Sequence, residues 1–153
     1  MITADDPMTD HFIGIDVGTG SARAGVFDAR GRPLAVARRE IALHQDAPDI
    51  AEQDSGDIWR AVCASVREAV ASADVPAASV KGIGFDATCS LVVAGPGREP
   101  LPVGAHGRRE RDIIVWMDHR AISQAERINA GNHAVLAFVG GRISPEMETP
   151  KLL

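Results

Sequence analysis

The chain has 153 residues, 45% of them hydrophobic and 24% charged, and a formal net charge of −5. That length suits one compact domain with its own core rather than two. A mildly acidic chain without a basic stripe argues against nucleic acid as a partner, so an anionic ligand would have to be held locally, by main-chain amides and an arginine or two.

Residues 1–10 read as a disordered lead-in and 11–153 as the folded part. The opening Met1 to Pro7 has neither a basic n-region nor an apolar core, so it is not a signal peptide. No apolar run reaches membrane-spanning length. Cys63 and Cys89 fit neither a metal spacing nor a disulfide framework. The expectation is a cytoplasmic protein without membrane contact, and nothing in the composition forbids a homo-oligomer.

Phe12–Ile15 reads as a strand, Asp16–Ser21 as a glycine-rich turn and Ala22–Phe27 as the returning strand. Asp28-Ala29-Arg30-Gly31 is a turn with Gly where positive φ is tolerated, and a third strand runs from Leu34 through Ile41 to Leu43. Tight connections make the three an antiparallel meander. Asp54 or Ser55 is a suitable N-cap for a helix whose Ile58, Val62, Val66, Ala69 and Val70 recur on one face, and which stops near Ser72 ahead of Asp74-Val75-Pro76.

Val80–Phe85 reads as a buried strand, and Leu91–Ala94 as another that ends at Gly95-Pro96-Gly97. The charged Gly104–Asp112 segment, with its Arg108–Asp112 run, reads as a mobile, solvated loop. Ile113–Trp116 is a core strand, followed by a helix from about Asp118 to Asn129. Gly140–Ile143 is a loop, Ser144-Pro145-Glu146 starts a helix with Ser as N-cap, and Thr149-Pro150-Lys151 starts another. Strands first and helices interleaved afterwards give an α/β layer fold with a mixed sheet: a three-stranded antiparallel meander, parallel strands and flanking helices.

The glycine-rich turn is the first candidate site. Glycines let the main chain approach a phosphate, and the Thr19 and Ser21 hydroxyls and the Arg23 guanidinium add donors. Asp16 at the strand end would repel phosphate unless a divalent cation lay between them, which points to Mg²⁺ and a nucleotide. The segment is not a P-loop, which needs Gly-Lys-Ser/Thr, nor a dinucleotide fingerprint, which needs a helix after the turn. On these residues alone, an ordinary hairpin turn accounts for the segment equally well.

Ile13-Gly14-Ile15-Asp16-Val17-Gly18-Thr19-Gly20-Ser21-Ala22-Arg23-Ala24 resembles the first phosphate motif of the actin-like, ribonuclease H-like ATPase fold, in the form used by the FGGY carbohydrate kinases. Gly82–Val93, containing Asp86-Ala87-Thr88-Cys89-Ser90, is similar to that family's sugar-pocket strand and turn. Val115-Trp116-Met117-Asp118-His119-Arg120 is similar to its Trp-x-Asp-x-Arg segment. The Ala-Thr-Cys-Ser and Trp-Met-Asp-His-Arg variants look most like the D-ribulokinase-like branch.

The resemblance implies that Gly18, Thr19, Gly20 and Ser21 face the phosphates of ATP, that Arg23 orients the transferring group, and that Asp16 acts through hydrated Mg²⁺. It implies sugar contacts from Asp86, Ala87, Thr88, Trp116, Asp118 and Arg120. Alternatives stand beside several of these. Thr88 and Ser90 can satisfy turn backbone, Asp118 can cap the following helix, and Arg120 can pair with a surface carboxylate. Cys89 has no base partner and reads as a small buried thiol, while His119 and His133 read as structural or surface groups.

In the family, as the resemblance implies, the catalytic Asp, second phosphate loop and adenosine pocket lie further along a much longer chain. The expectation is therefore an incomplete N-terminal domain of an ATP-dependent kinase that acts on a small sugar, a ketopentose, which the branch resembled implies to be D-ribulose. It has no catalytic base of its own, is inactive alone and is partnered by the missing C-terminal half. The alternative is a non-catalytic interaction module or split-kinase subunit that keeps the fold.

Overall fold

The computed structural model describes residues 9–105 and 107–153; residues 1–8, where most of the expected lead-in falls, lie outside the described residues. The elements in chain order are β1 (His11–Val17), β2 (Ser21–Asp28), β3 (Pro33–Glu40), β4 (Glu52–Gln53), α1 (Ser55–Ala73), β5 (Val80–Ala87), β6 (Leu91–Val92), β7 (Ile113–Ile114), α2 (Ile122–Ala130) and α3 (Glu148–Lys151). The described chain groups into two compact units. One comprises the chain up to Ile41 with Gly56–Thr88, the other Ala42–Ser55 with Cys89–Leu153.

The first unit is a four-stranded sheet of order β3-β2-β1-β5. β1, β2 and β3 form the expected antiparallel meander, and β5 adds in parallel to β1. Period-two alternation buries Ile13, Ile15 and Val17 of β1 and Ala22, Ala24 and Val26 of β2 on one face. α1 covers that face with Ala61, Val62, Ser65 and Ala69, and the buried Ser65 hydroxyl donates to the Ala22 carbonyl at 3.3 Å. On the opposite face the Phe27 ring lies so close to Gly25 that a Cβ there would come within 2.8 Å of it.

The β2–β3 turn forms as expected. Gly31 has a φ of +77°, and Asp28 Oδ1 accepts the Arg30 and Arg32 amides at 2.9 Å each. The Arg32 amide is the largest cause holding the Asp28 carboxyl below its ordinary 3.8; burial opposes it, and the Arg32 side chain and Arg30 amide add to it. α1 ends at Ala73, one residue beyond expectation, and Asp74 turns the chain with a φ of +51°.

β5 departs from the buried strand expected. Ile83 and Phe85 are 62% and 56% exposed, because β5 is the last strand of its sheet and no described element covers them fully. With Trp59, Val62, Cys63 and Val66 of α1 they line an open apolar groove of about 360 Å³.

The second unit holds a small antiparallel sheet of order β4-β7-β6, a 3₁₀ segment Ala134–Val139 and the helices α2 and α3. Several expectations are corrected here. Only Ile113 and Ile114 of the expected Ile113–Trp116 strand pair, and Leu91–Ala94 shortens to Leu91–Val92 with a bridge from Ala94 to Pro100. α2 begins at Ile122, not Asp118, whose carboxylate serves a preceding turn instead of the helix. The Ser144 hydroxyl accepts the Glu146 amide at 3.2 Å and closes a turn, so the next helix waits until Glu148. Pro150 lies within the first turn of that helix, where a missing N–H costs nothing.

The Arg108–Asp112 run is not wholly solvated: Arg111 and Asp112 are buried, the first on Asp46 and Glu52, the second on the Ser55 amide and hydroxyl. Gly104 donates to the Arg111 carbonyl at 3.0 Å at the base of this loop. A Cβ on Gly104 would fall 2.8 Å from Glu52 Oε2 and 2.9 Å from that carbonyl, so the position admits no side chain. No helix among the described residues is long and apolar enough to cross a membrane.

Candidate active site

The β1–β2 connection is a tight turn closed by the Gly18 amide on the Ser21 carbonyl at 3.0 Å. The Ile41 amide reaches the Gly20 carbonyl at 3.2 Å, and the Thr88 amide reaches the Val17 carbonyl at 3.0 Å. Neither Gly18 nor Gly20 has positive φ. A Cβ at Gly20 would meet nothing within 4 Å, and one at Gly18 nothing nearer than the Ser21 carbonyl at 3.8 Å. The turn's own conformation and packing therefore do not call for glycine at either position. What the missing side chains create is open space over the main chain, the arrangement a bound phosphate needs. Gly18 and Thr19 are half-buried, Gly20 is exposed and Ser21 is buried.

Register brings three charged groups together beside this turn. Asp16 is opposite Arg23 on β2 and Asp86 on β5, so all three project from one face. Arg23 Nη1 lies 2.8 Å from Asp16 Oδ2, with both side chains about half exposed. An exposed pair of this kind is worth about 0–1 kcal/mol, so Arg23 can leave Asp16 for a phosphate at little cost. Ala87 ends β5 and Thr88 follows it, both exposed.

No described cluster of three or more His, Cys, Asp or Glu side chains encloses a cation. A cation here would rest on Asp16, with Asp86 in reach as a second carboxylate, and on water and phosphate oxygens. That is coordination Mg²⁺ accepts, so the residues present fit it.

In the second unit, Trp116 is half-buried and its amide donates to Ser90 Oγ at 3.1 Å, so Ser90 satisfies turn backbone. Asp118 has no exposed surface. Its Oδ2 accepts the Ala51 amide and Arg120 Nη2, both at 2.7 Å; its Oδ1 accepts the Arg120 amide at 3.0 Å and Nε at 2.8 Å. Burial pushes the Asp118 carboxyl up, but the Arg120 side chain and the Ala51 and Arg120 amides outweigh it and hold it below 3.8.

Arg120 also donates through Nη2 to Glu52 Oε1 at 2.7 Å. Its partners are thus two fully buried carboxylates, not the surface carboxylate weighed from the sequence. Glu52, absent from the sequence-based candidates, accepts the Ala105 amide at 2.6 Å as well and lies 3.7 Å from Arg111. Cys89, expected to be buried, is exposed, and His119 Nε2 meets Glu146 Oε1 at 3.0 Å.

Residues 11–152 match the N-terminal domain of the FGGY family of carbohydrate kinases. The chain is 46% identical over 143 residues to an FGGY carbohydrate kinase domain-containing protein of Homo sapiens, covering 94% of this chain and 26% of that protein. It is 44% identical over 153 residues to a D-ribulokinase of Saccharomyces cerevisiae, covering 99% of this chain and 21% of the relative. The fold is similar to the crystal structure of a xyloylose kinase from Brucella ovis, with a TM-score of 0.80, 23% identity and coverage of 93% of this chain and 28% of that one. The chain thus spans about a fifth to a quarter of the length of these curated relatives. With this chain matched almost from end to end by that family's N-terminal domain and its fold similar to that of a sugar kinase, the chain belongs to the FGGY carbohydrate kinases, as part of their N-terminal domain.

Proposed function

We propose that this chain supplies the first phosphate loop and part of the sugar pocket of an ATP-dependent pentulose kinase that converts D-ribulose to D-ribulose 5-phosphate. In the reaction, a sugar hydroxyl oxygen bonds to the γ-phosphorus as the bond to the β–γ bridging oxygen breaks. The electron pair leaves with ADP, and the hydroxyl proton passes to a base. Mg²⁺, when bound, neutralises charge developing on the phosphate oxygens.

Gly18 and Gly20 keep the main chain open to those oxygens, Thr19 and Ser21 flank them, Arg23 exchanges Asp16 for the transferring group, and Asp16 faces the hydrated cation. Asp86, Ala87 and Thr88 at the end of β5 are proposed sugar contacts of the first unit, and Trp116 is the proposed sugar contact of the second. Asp118 and Arg120 hold the Trp116 turn, their hydrogen bonds being largely spent on each other and on Glu52. No residue in the chain is assigned as base. The base, second phosphate loop and adenosine pocket come from polypeptide outside these 153 residues, and the setting is the cytoplasm.

The observation that carries this reading is the unfilled space over Gly18 and Gly20, which the turn itself does not require. Titration of the ¹⁵N-labelled chain with magnesium triphosphate to millimolar concentration should shift the amides of residues 16–21, Arg23 and Asp86 and leave α1 unmoved. Unshifted loop amides would overturn the reading. A coupled ADP-release assay with D-ribulose should stay at background, and turnover would refute the statement that the chain is inactive alone.

A further inference from the structure

Lys151 sits in the last turn of α3, and its ammonium donates to three main-chain carbonyls: Trp116 at 2.8 Å, Val115 at 3.0 Å and Glu146 at 3.0 Å. An ammonium carries three protons, so its donor capacity is fully used. In an extended strand, consecutive carbonyls point to opposite sides. Two of them converging on one nitrogen means that the strand is broken there. This accounts for β7 ending at Ile114, two residues short of what the sequence led us to expect. Val115 also accepts the Asp118 amide at 2.9 Å, so the residue that receives the ammonium also closes the turn carrying Trp116 and Asp118.

We infer that Lys151 is the positioning residue of the sugar pocket: its ammonium draws the Val115–Trp116 peptide and the Glu146 turn onto one point and so fixes where the Trp116 ring is presented. The inference rests on the reading of Trp116 as a sugar-pocket residue. Arginine cannot replace lysine here, because a planar fork does not converge on three oxygens around one point. A methionine fills the space and leaves the carbonyls without their donor. Burial lowers Lys151 from its ordinary 10.5, with Glu148, Asp118, Cys89 and Glu146 pulling the other way.

Lys81 and Lys151 are the chain's lysines, and Trp59 and Trp116 its tryptophans, which makes the test direct. In the unsubstituted chain, amine acetylation followed by mass spectrometry should modify Lys151 at least tenfold more slowly than Lys81, whose side chain is 45% exposed. In a Trp59→Phe background, Trp116 emission titrated with D-ribulose should report binding at least tenfold weaker in Lys151→Met and equally weak in Lys151→Arg. Millimolar butylammonium added to Lys151→Gly should restore affinity to within threefold of the parent, a rescue that loss of packing alone would not give.

Equal acetylation rates, or Lys151→Met binding D-ribulose within threefold of the parent, would overturn the inference. A parent that gives no response to D-ribulose counts against the sugar-pocket reading instead. The role of Lys151 is then decided by acetylation and by the Trp116 emission maximum, and an unchanged maximum in Lys151→Met overturns it.

Discussion

Asp118 accepts four hydrogen bonds with no exposed surface, and two of those bonds anchor main-chain amides. Removing one partner of a buried pair leaves the other uncompensated, so Asp118→Ala should cost about 3–5 kcal/mol, read as a lower urea midpoint. The same carboxylate makes the fold acid-sensitive. Because Asp118 and Asp28 ionise more readily in the folded chain than at their ordinary 3.8, their stabilisation is full above that value. It drains away as pH falls through the depressed folded values. Urea midpoints measured between pH 6 and pH 2 should stay level at first and drop below about pH 4; Asp118→Asn should flatten the drop. Gly20→Ala is expected to behave oppositely. With ordinary φ and open space, it should raise stability by about 0.4–1 kcal/mol or leave it unchanged, and abolish the triphosphate-induced amide shifts.

Among the elements, the contact between α1 and the meander is built from small residues: Ala22 and Ala24 on the sheet, Ala61 and Ala69 on the helix. Ala69 has no exposed surface, so Ala69→Leu should lower stability by about 1–3 kcal/mol, seen as an earlier thermal midpoint, with the meander preserved. This layer was legible in the sequence because both its periods are local. Ile13, Ile15 and Val17 alternate, and Ile58, Val62 and Val66 recur every four residues. The second unit was less legible because its order comes from groups far apart in the chain. β4 is two residues long and exists by pairing with β7 some sixty positions later. Glu52 sits in a polar stretch, and its burial depends on Arg111 and Arg120. The available signal was two arginines flanking a core strand with no carboxylate assigned to them. Lys151 looked like the start of a further helix, because nothing local shows that its ammonium ends a strand.

At the scale of the whole molecule, the first sheet has two unlike edges. β3 carries Arg38, Arg39 and Glu40, charges that discourage pairing with another chain. β5 carries Gly82, Ile83, Gly84 and Phe85, with an apolar groove alongside. The expected consequence is concentration-dependent association, measurable by light scattering in the micromolar range, which Phe85→Lys should suppress and Val36→Lys should not. Polypeptide from the longer relatives' remaining length, added in trans, should compete with it. The Thr88 amide on the Val17 carbonyl has a different reach. It staples the exits of two neighbouring strands, one leading into the glycine-rich turn proposed to face the triphosphate and the other into the segment proposed to contact the sugar. If both proposed sites are occupied, displacement of one exit is expected to reach the other through this bond, so each small molecule should alter the grip on its companion, and by thermodynamic reciprocity by one shared factor. Triphosphate affinity with and without saturating D-ribulose should differ measurably, and an identical value in both conditions would show the staple to be mute.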